Sequence, residues 1–72
     1  MSLWPSTRAR QVYKALLKIG WEPVSQHGSH IKLRHQASKY PDYIWAFRDN
    51  DEIGPRMLAR IAKHTGLTPR DL

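Results

Sequence analysis

The chain has 72 residues, no cysteine, and 12 Lys and Arg against 6 Asp and Glu, a net charge of +6 at neutral pH. That length limits it to one domain, residues 1–72, with a modest core and no disulfide to support it. No apolar run approaches a membrane span, and the opening MSLWPSTRAR lacks the apolar stretch of a signal peptide, so the expectation is a soluble cytoplasmic protein without a membrane partner.

The charge is uneven. Residues 1–39 carry seven bases and one acid, Glu22, whereas residues 40–72 carry five of each. A basic half on so small a domain points to a polyanionic partner, nucleic acid first and an acidic protein second.

The first element is a helix in STRARQVYKALLKIG. Ser6 or Thr7 is placed to cap it, and Val12, Leu16 and Ile19 recur at helical spacing, with Ala9, Tyr13 and Leu17 widening the stripe. Gly20 suits the left-handed position after its last turn. Arg10, Lys14 and Lys18 repeat every four residues along one edge. Such a stripe is ordinarily a solvated face, and it gains interest only if it borders the same groove as His30.

WEPVSQ reads as a short strand in which Pro23 calls for an edge or a bulge, because proline cannot donate to a ladder. HGS is a turn. HIKLRH alternates cleanly, Ile31 and Leu33 one way and His30, Lys32 and Arg34 the other. After the polar QASKYPD comes a third strand, YIWAFR, whose two faces are both mostly apolar, so the pattern leaves open which is buried. DNDEIGPRMLARIAKHTG leads into the second helix. Acids before and within its first turn suit the helix dipole, Pro55 suits N1, Met57, Leu58, Ile61 and Ala62 make the buried stripe, and Gly66 ends it. LTPRDL is one further turn, with Thr68 as cap and Pro69 at N1. The order α-β-β-β-α predicts an α+β fold, a three-stranded antiparallel meander with two amphipathic helices on one face. The other face is then open to solvent and carries His30, Lys32 and Arg34.

Taken together, ALLKIGWEPVSQHGSHIKLRH, a third strand, and IGPRMLARIAKHTGL resemble the HicA family, small mRNA interferase toxins of bacterial type II toxin–antitoxin pairs. The resemblance rests on four parts in order: the first-helix pattern ending in Gly20, the Gly28-Ser29-His30 turn, the HIKLRH strand, and the last helix ending in Gly66-Leu67. It implies a fold like the double-stranded RNA-binding domain. It also implies endoribonuclease action on mRNA that depends on His30, and a HicB-like antitoxin that covers the active surface. Many members carry a histidine late in the third strand or just after it. This chain has AFRDNDE there, with Arg48 the nearest candidate.

The chemistry asks for little. A ribose 2′-hydroxyl attacks the adjacent phosphorus if a base takes its proton, the leaving 5′-oxygen needs a proton, and positive charge must meet the phosphoryl oxygens. Histidine as a residue type suits the proton steps, and the scheme requires no metal or other cofactor. One histidine does not easily serve as both base and acid, so either a second group is needed, for which His27 and a neutral lysine are candidates, or water takes one role. Lys32 and Arg34 offer phosphate contacts. The expected RNA-binding set is these two with His27, Gly28 and Ser29 of the turn, and Lys14 and Lys18 of the first helix.

His27, His30 and His35 lack a cysteine or carboxylate to complete a zinc set, and His30 and His35 alternate to opposite faces. Ser29 has no assignable orienting carboxylate or oxyanion hole. Without the resemblance, His30 reads as an ordinary exposed strand residue; with it, catalysis is favoured, and a non-catalytic RNA- or protein-binding module on the same fold is the alternative. A duplex-DNA binder lacks support, because the two helices are separated by the whole sheet. Trp21, Trp45 and Phe47 are expected in the core, with base stacking as the alternative, and Trp4 is expected to pack across the start of the first helix.

Overall fold

The computed structural model describes residues 4–72. In chain order these form β1 (Thr7–Arg8), α1 (Ala9–Lys18), β2 (Trp21–His27), β3 (His30–His35), β4 (Tyr43–Trp45), β5 (Glu52–Ile53), α2 (Pro55–Thr65) and a closing 3-10 turn (Pro69–Asp71). Strands β2, β3 and β4 make the antiparallel meander, with β3 in the centre. The expected α-β-β-β-α frame is therefore present. β1 and β5 add a separate two-stranded pair, Thr7 opposite Ile53 and Arg8 opposite Glu52. Two-residue strands are too short for alternation to reveal.

One face of the meander supplies Trp21, Leu33 and Trp45 to the core, where they meet Val12, Ala15 and Leu16 of α1 and Leu58 and Ile61 of α2. Burial of each large side chain contributes about 1.5–3 kcal/mol. Lys32, Arg34 and Ile44, on the other face, are exposed. The third strand thus buries its Tyr43/Trp45/Phe47 side, while Ile44 stays 49% exposed. It is also shorter than the sequence suggests, ending at Trp45 rather than Arg48. Ile31 opposes Trp45, so Ala46 would need His30, the last partner before the turn. The chain leaves the sheet there, and Phe47 packs edge-on against Trp45 at 4.9 Å.

Pro23 behaves as expected: β2 is an edge strand, and its register shifts between Pro23 and Ser25. Val24, at the shift, is 40% exposed.

Both helix starts differ from expectation. The N-cap of α1 is Arg8, without a side-chain cap, not Ser6 or Thr7. Thr7 is drawn into β1, and its hydroxyl donates to the Pro5 carbonyl at 2.8 Å. The orphan N–H groups of Ala9 and Arg10 donate instead to the carbonyls of Asp51 and Asp49, at 2.8 and 3.2 Å, so tertiary structure caps this helix. In α2, Pro55 takes N1, but the first turn holds no acid, because Glu52 is spent in β5. Leu58 and Ile61 are buried as expected, whereas Met57 is 37% exposed. Thr65 is buried in its place. Its hydroxyl donates to the Ile61 carbonyl at 2.7 Å, and its own carbonyl accepts from Trp21 Nε1 at 3.0 Å, which ties the end of α2 to the start of β2. Gly66 follows at φ +78°, and a Cβ there would run into the Tyr40 hydroxyl. The last turn is as read: the Asp71 carboxylate accepts from the backbone N–H and hydroxyl of Thr68.

Candidate functional site

The hairpin between β2 and β3 turns on two residues, Gly28 and Ser29. Gly28 has φ +62°, and no atom lies within 4 Å of where its Cβ would be. The backbone conformation, not space, therefore calls for glycine, as at the first central position of a type II′ turn. So tight a turn sets His27 directly opposite His30. Opposed residues of an antiparallel pair have Cβ atoms about 4.5–5.5 Å apart and share a face. Both imidazoles are exposed. Lys32 lies two residues further on that face, roughly 6–7 Å away by strand rise, between Ser25 on β2 and Ile44 on β4. The hairpin end of the open face thus assembles two imidazoles and one ammonium, with no acid among them.

Arg34 sits at the other end of the same face, in different company. Its Nε and Nη2 donate to the two carboxylate oxygens of Asp42 at 3.2 and 3.1 Å, and Glu22 is its cross-strand partner on β2. The hydrogen bond to Asp42, and then its charge, hold the guanidinium more firmly protonated. The same bond pulls the Asp42 carboxyl below the usual carboxylate range, with the charges of Arg34 and Lys32 adding to it. Arg34 already holds a carboxylate where a phosphate was expected.

Lys14 and Lys18 are on the helical side of the sheet. They line a shallow cleft of about 320 Å³ with Gln11, Asp71 and Leu72. A second cleft, about 470 Å³, lies between Arg8, Glu52 and Pro69. His27, His30 and Lys32 line neither. The fold therefore does not bring the first-helix stripe to the histidines.

His35 is buried on the core face, opposite to His30. Its Nδ1 accepts from the Ala37 N–H, so the ring proton sits on Nε2, which donates to the Ile19 carbonyl; both distances are 3.2 Å. The ring stands edge-on to Trp21 and Tyr40, each at 5.3 Å. It is a packing residue. Trp21 and Trp45 are buried, which excludes base stacking for both; Phe47 is half-buried, and Trp4 packs against the core. Arg48 is exposed in the loop after β4, its backbone N–H held by the Asp51 carboxylate at 2.8 Å.

Two features escaped the sequence reading. Asp42 as the partner of Arg34 had no signal, because it depends on the loop returning beside β3. The bases of α2 did have one. The even balance of residues 40–72 conceals two opposite blocks. Residues 40–52 hold four acids and one base, and residues 53–70 hold Arg56, Arg60, Lys63 and Arg70 with no acid.

A family model described as the HicA toxin of bacterial toxin–antitoxin matches residues 9–67. The chain belongs to the HicA toxin family. The span matched in this HicA chain opens on the first residue of α1 and closes just past the Gly66 cap of α2, so it holds both helices and the histidine hairpin. No curated protein and no solved structure matches the chain significantly. No helix among the described residues is long and apolar enough to cross a membrane.

Proposed function

We propose that this HicA-family toxin is an mRNA interferase, a metal-independent endoribonuclease whose active site is the β2–β3 hairpin. The observation that carries the reading is the placement of His27, His30 and Lys32 together on an exposed end of a sheet, none of them paired with an acid, in a chain of this family.

His30 takes the proton of the ribose 2′-hydroxyl as that oxygen attacks phosphorus. His27, across the hairpin, gives a proton to the departing 5′-oxygen. The O2′–P bond forms as the P–O5′ bond breaks, leaving a 2′,3′-cyclic phosphate and a 5′-hydroxyl. Lys32 meets the charge that gathers on the non-bridging oxygens. Gly28 and Ser29 bring the strand close, since the turn offers backbone and a small hydroxyl instead of bulk. A HicB-like antitoxin would silence the enzyme by covering this face.

Cleavage of RNA by the purified protein in EDTA, wild type beside a folded His30→Ala variant, tests the reading. Wild type should cut and the variant should not, and product ends should be cyclic phosphate and 5′-hydroxyl. Equal RNA binding by both proteins with no cutting by either would make the hairpin a binding surface only. Products bearing a 5′-phosphate would overturn the 2′-hydroxyl mechanism.

A further inference from the structure

The two helices carry basic stripes of different standing. On α1, acids come near through the segments that pack against it. The helix starts on the carbonyls of Asp49 and Asp51, Arg8 donates to the Asn50 carbonyl at 2.8 Å, and Lys14 and Lys18 share their cleft with Asp71. On α2, Arg56, Arg60 and Lys63 are exposed, spaced i, i+4, i+7, and no acid occurs between residues 53 and 70. Helix geometry strings their attachment points about 6 and 4.5 Å apart along the axis, on one face. Among the described residues the one ion pair is Arg34–Asp42, so none of the three is neutralised by a partner.

The stripe is also tied to the open face. His64, in the last turn of α2, stacks on Tyr43 of β4 with ring centroids 6.1 Å apart and planes 22° apart. The positive charge of Arg60 reaches Tyr43 as well, opposing the rise that burial imposes on its phenol. β4 is the sheet's edge, and its exposed Ile44 pairs with Lys32. A path therefore runs from Lys32 across Ile44, over the β4 edge at Tyr43, to Arg60 and the rest of α2. Asp42, the acid beside this path, is already held by Arg34.

We infer that the outer face of α2, with Arg56, Arg60 and Lys63, is a second RNA-binding surface that grips the backbone of a single strand leaving the hairpin over the β4 edge. The inference rests on the ribonuclease reading above. An RNA strand fits this face better than a protein does. A protein-docking surface has an apolar centre, and the only large apolar side chain exposed on α2 is Met57. Unpaired cations in a row suit a chain of phosphates, whose binding depends on counterion release.

The test compares a trinucleotide, too short to leave the hairpin, with a single strand of about 20 nucleotides. Binding is measured against salt in the His30→Ala background, with and without Arg56→Gln/Arg60→Gln/Lys63→Gln. Loss of three phosphate contacts should flatten the salt slope for the longer strand by about 2, from roughly 0.7 per contact, and leave the trinucleotide unchanged. With His30 intact, kcat/KM should fall for the longer strand only. Ala59→Glu, which sets one acid in the middle of the stripe at an exposed helical position, should act in the same direction and guards against misfolding of the triple variant. Unchanged slope and unchanged kcat/KM for the longer strand would overturn the inference, as would an effect confined to binding of the antitoxin. If the wild-type protein cuts neither RNA while the slope still falls, the α2 surface stands and the catalytic reading fails.

Discussion

The two ends of the open sheet face are built from the same strand and differ in what surrounds their charges. At the hairpin end, His27, His30 and Lys32 have no acid opposite them. At the far end, Arg34 faces Glu22 across the ladder and is clasped by Asp42. In a single-strand pattern, His30, Lys32 and Arg34 look equivalent. In the folded molecule the first two are free to meet a phosphate, and the third would have to exchange a carboxylate for one. Alternation tells which residues share a face, but not which of them are available.

The comparison breaks most visibly at His30. Its change to Ala should lower cleavage by about 10²–10⁴-fold with RNA affinity little altered, while Arg34→Gln should leave kcat within a few-fold of wild type. A His30→Ala enzyme that cleaves at the wild-type rate would remove the distinction.

Gly28→Ala should come next. Its φ of +62° costs an alanine about 1–2 kcal/mol, and in a domain of this size the melting temperature should fall by about 4–8 °C per kcal/mol. Cleavage should drop further than stability explains, because the turn sets the His27–His30 pairing. A cleavage loss that tracks only the unfolded fraction would make the turn purely structural.

Salt dependence sharpens the contrast between the two cations. Lys32→Gln should weaken RNA binding and flatten the salt slope by about 0.7, and Arg34→Gln should move it less. Asp42→Asn should make the far end resemble the hairpin end: with its carboxylate neutralised, Arg34 becomes available, binding tightens and the slope steepens. Equal slopes for all three variants and wild type would place the RNA elsewhere.

The smallest effect concerns acid stability. The pKa of Asp42 is lowered in the folded state, so its contribution is fully present above the ordinary carboxylate value and is lost as pH falls through the depressed one. The Asp42→Asn protein should therefore lose less stability than wild type between about pH 4 and lower values, in paired urea titrations across that range. The pair is exposed, and a difference in the opposite direction would mean that Arg34 does not hold Asp42 in solution.

Much of this molecule was legible in one dimension. The 3.6-residue pattern of Val12 and Leu16, and of Leu58 and Ile61, fixes two one-sided helices. The twofold alternation of HIKLRH fixes which side of β3 is wet. Gly28 and Gly66 sit where the backbone takes positive φ, and Pro23 marks the bulge. These signals are local, because each depends on a residue's own dihedral preferences or on neighbours within a turn or two. Family membership followed from the same short patterns in order.

What the sequence could not settle depends on residues far apart along the chain. The start of α1 is capped by carbonyls from residues 49 and 51. The buried side of the third strand was decided by where α1 and α2 lie, since both of its sides are apolar enough for either role. Thr65, not Met57, shares the core side of α2 with Leu58 and Ile61, and its hydroxyl is satisfied there by the Ile61 carbonyl. The same holds for charge. Sequence determined how many cations there are and their spacing along each element. Only the tertiary structure decided that Arg34 meets Asp42, that Lys14 and Lys18 share a cleft with Asp71, and that the α2 stripe has no ion-pair partner. Coulomb and hydrogen-bond interactions depend on separation in space, and that separation is set by the packing of the helices and loops, not by the order of the residues.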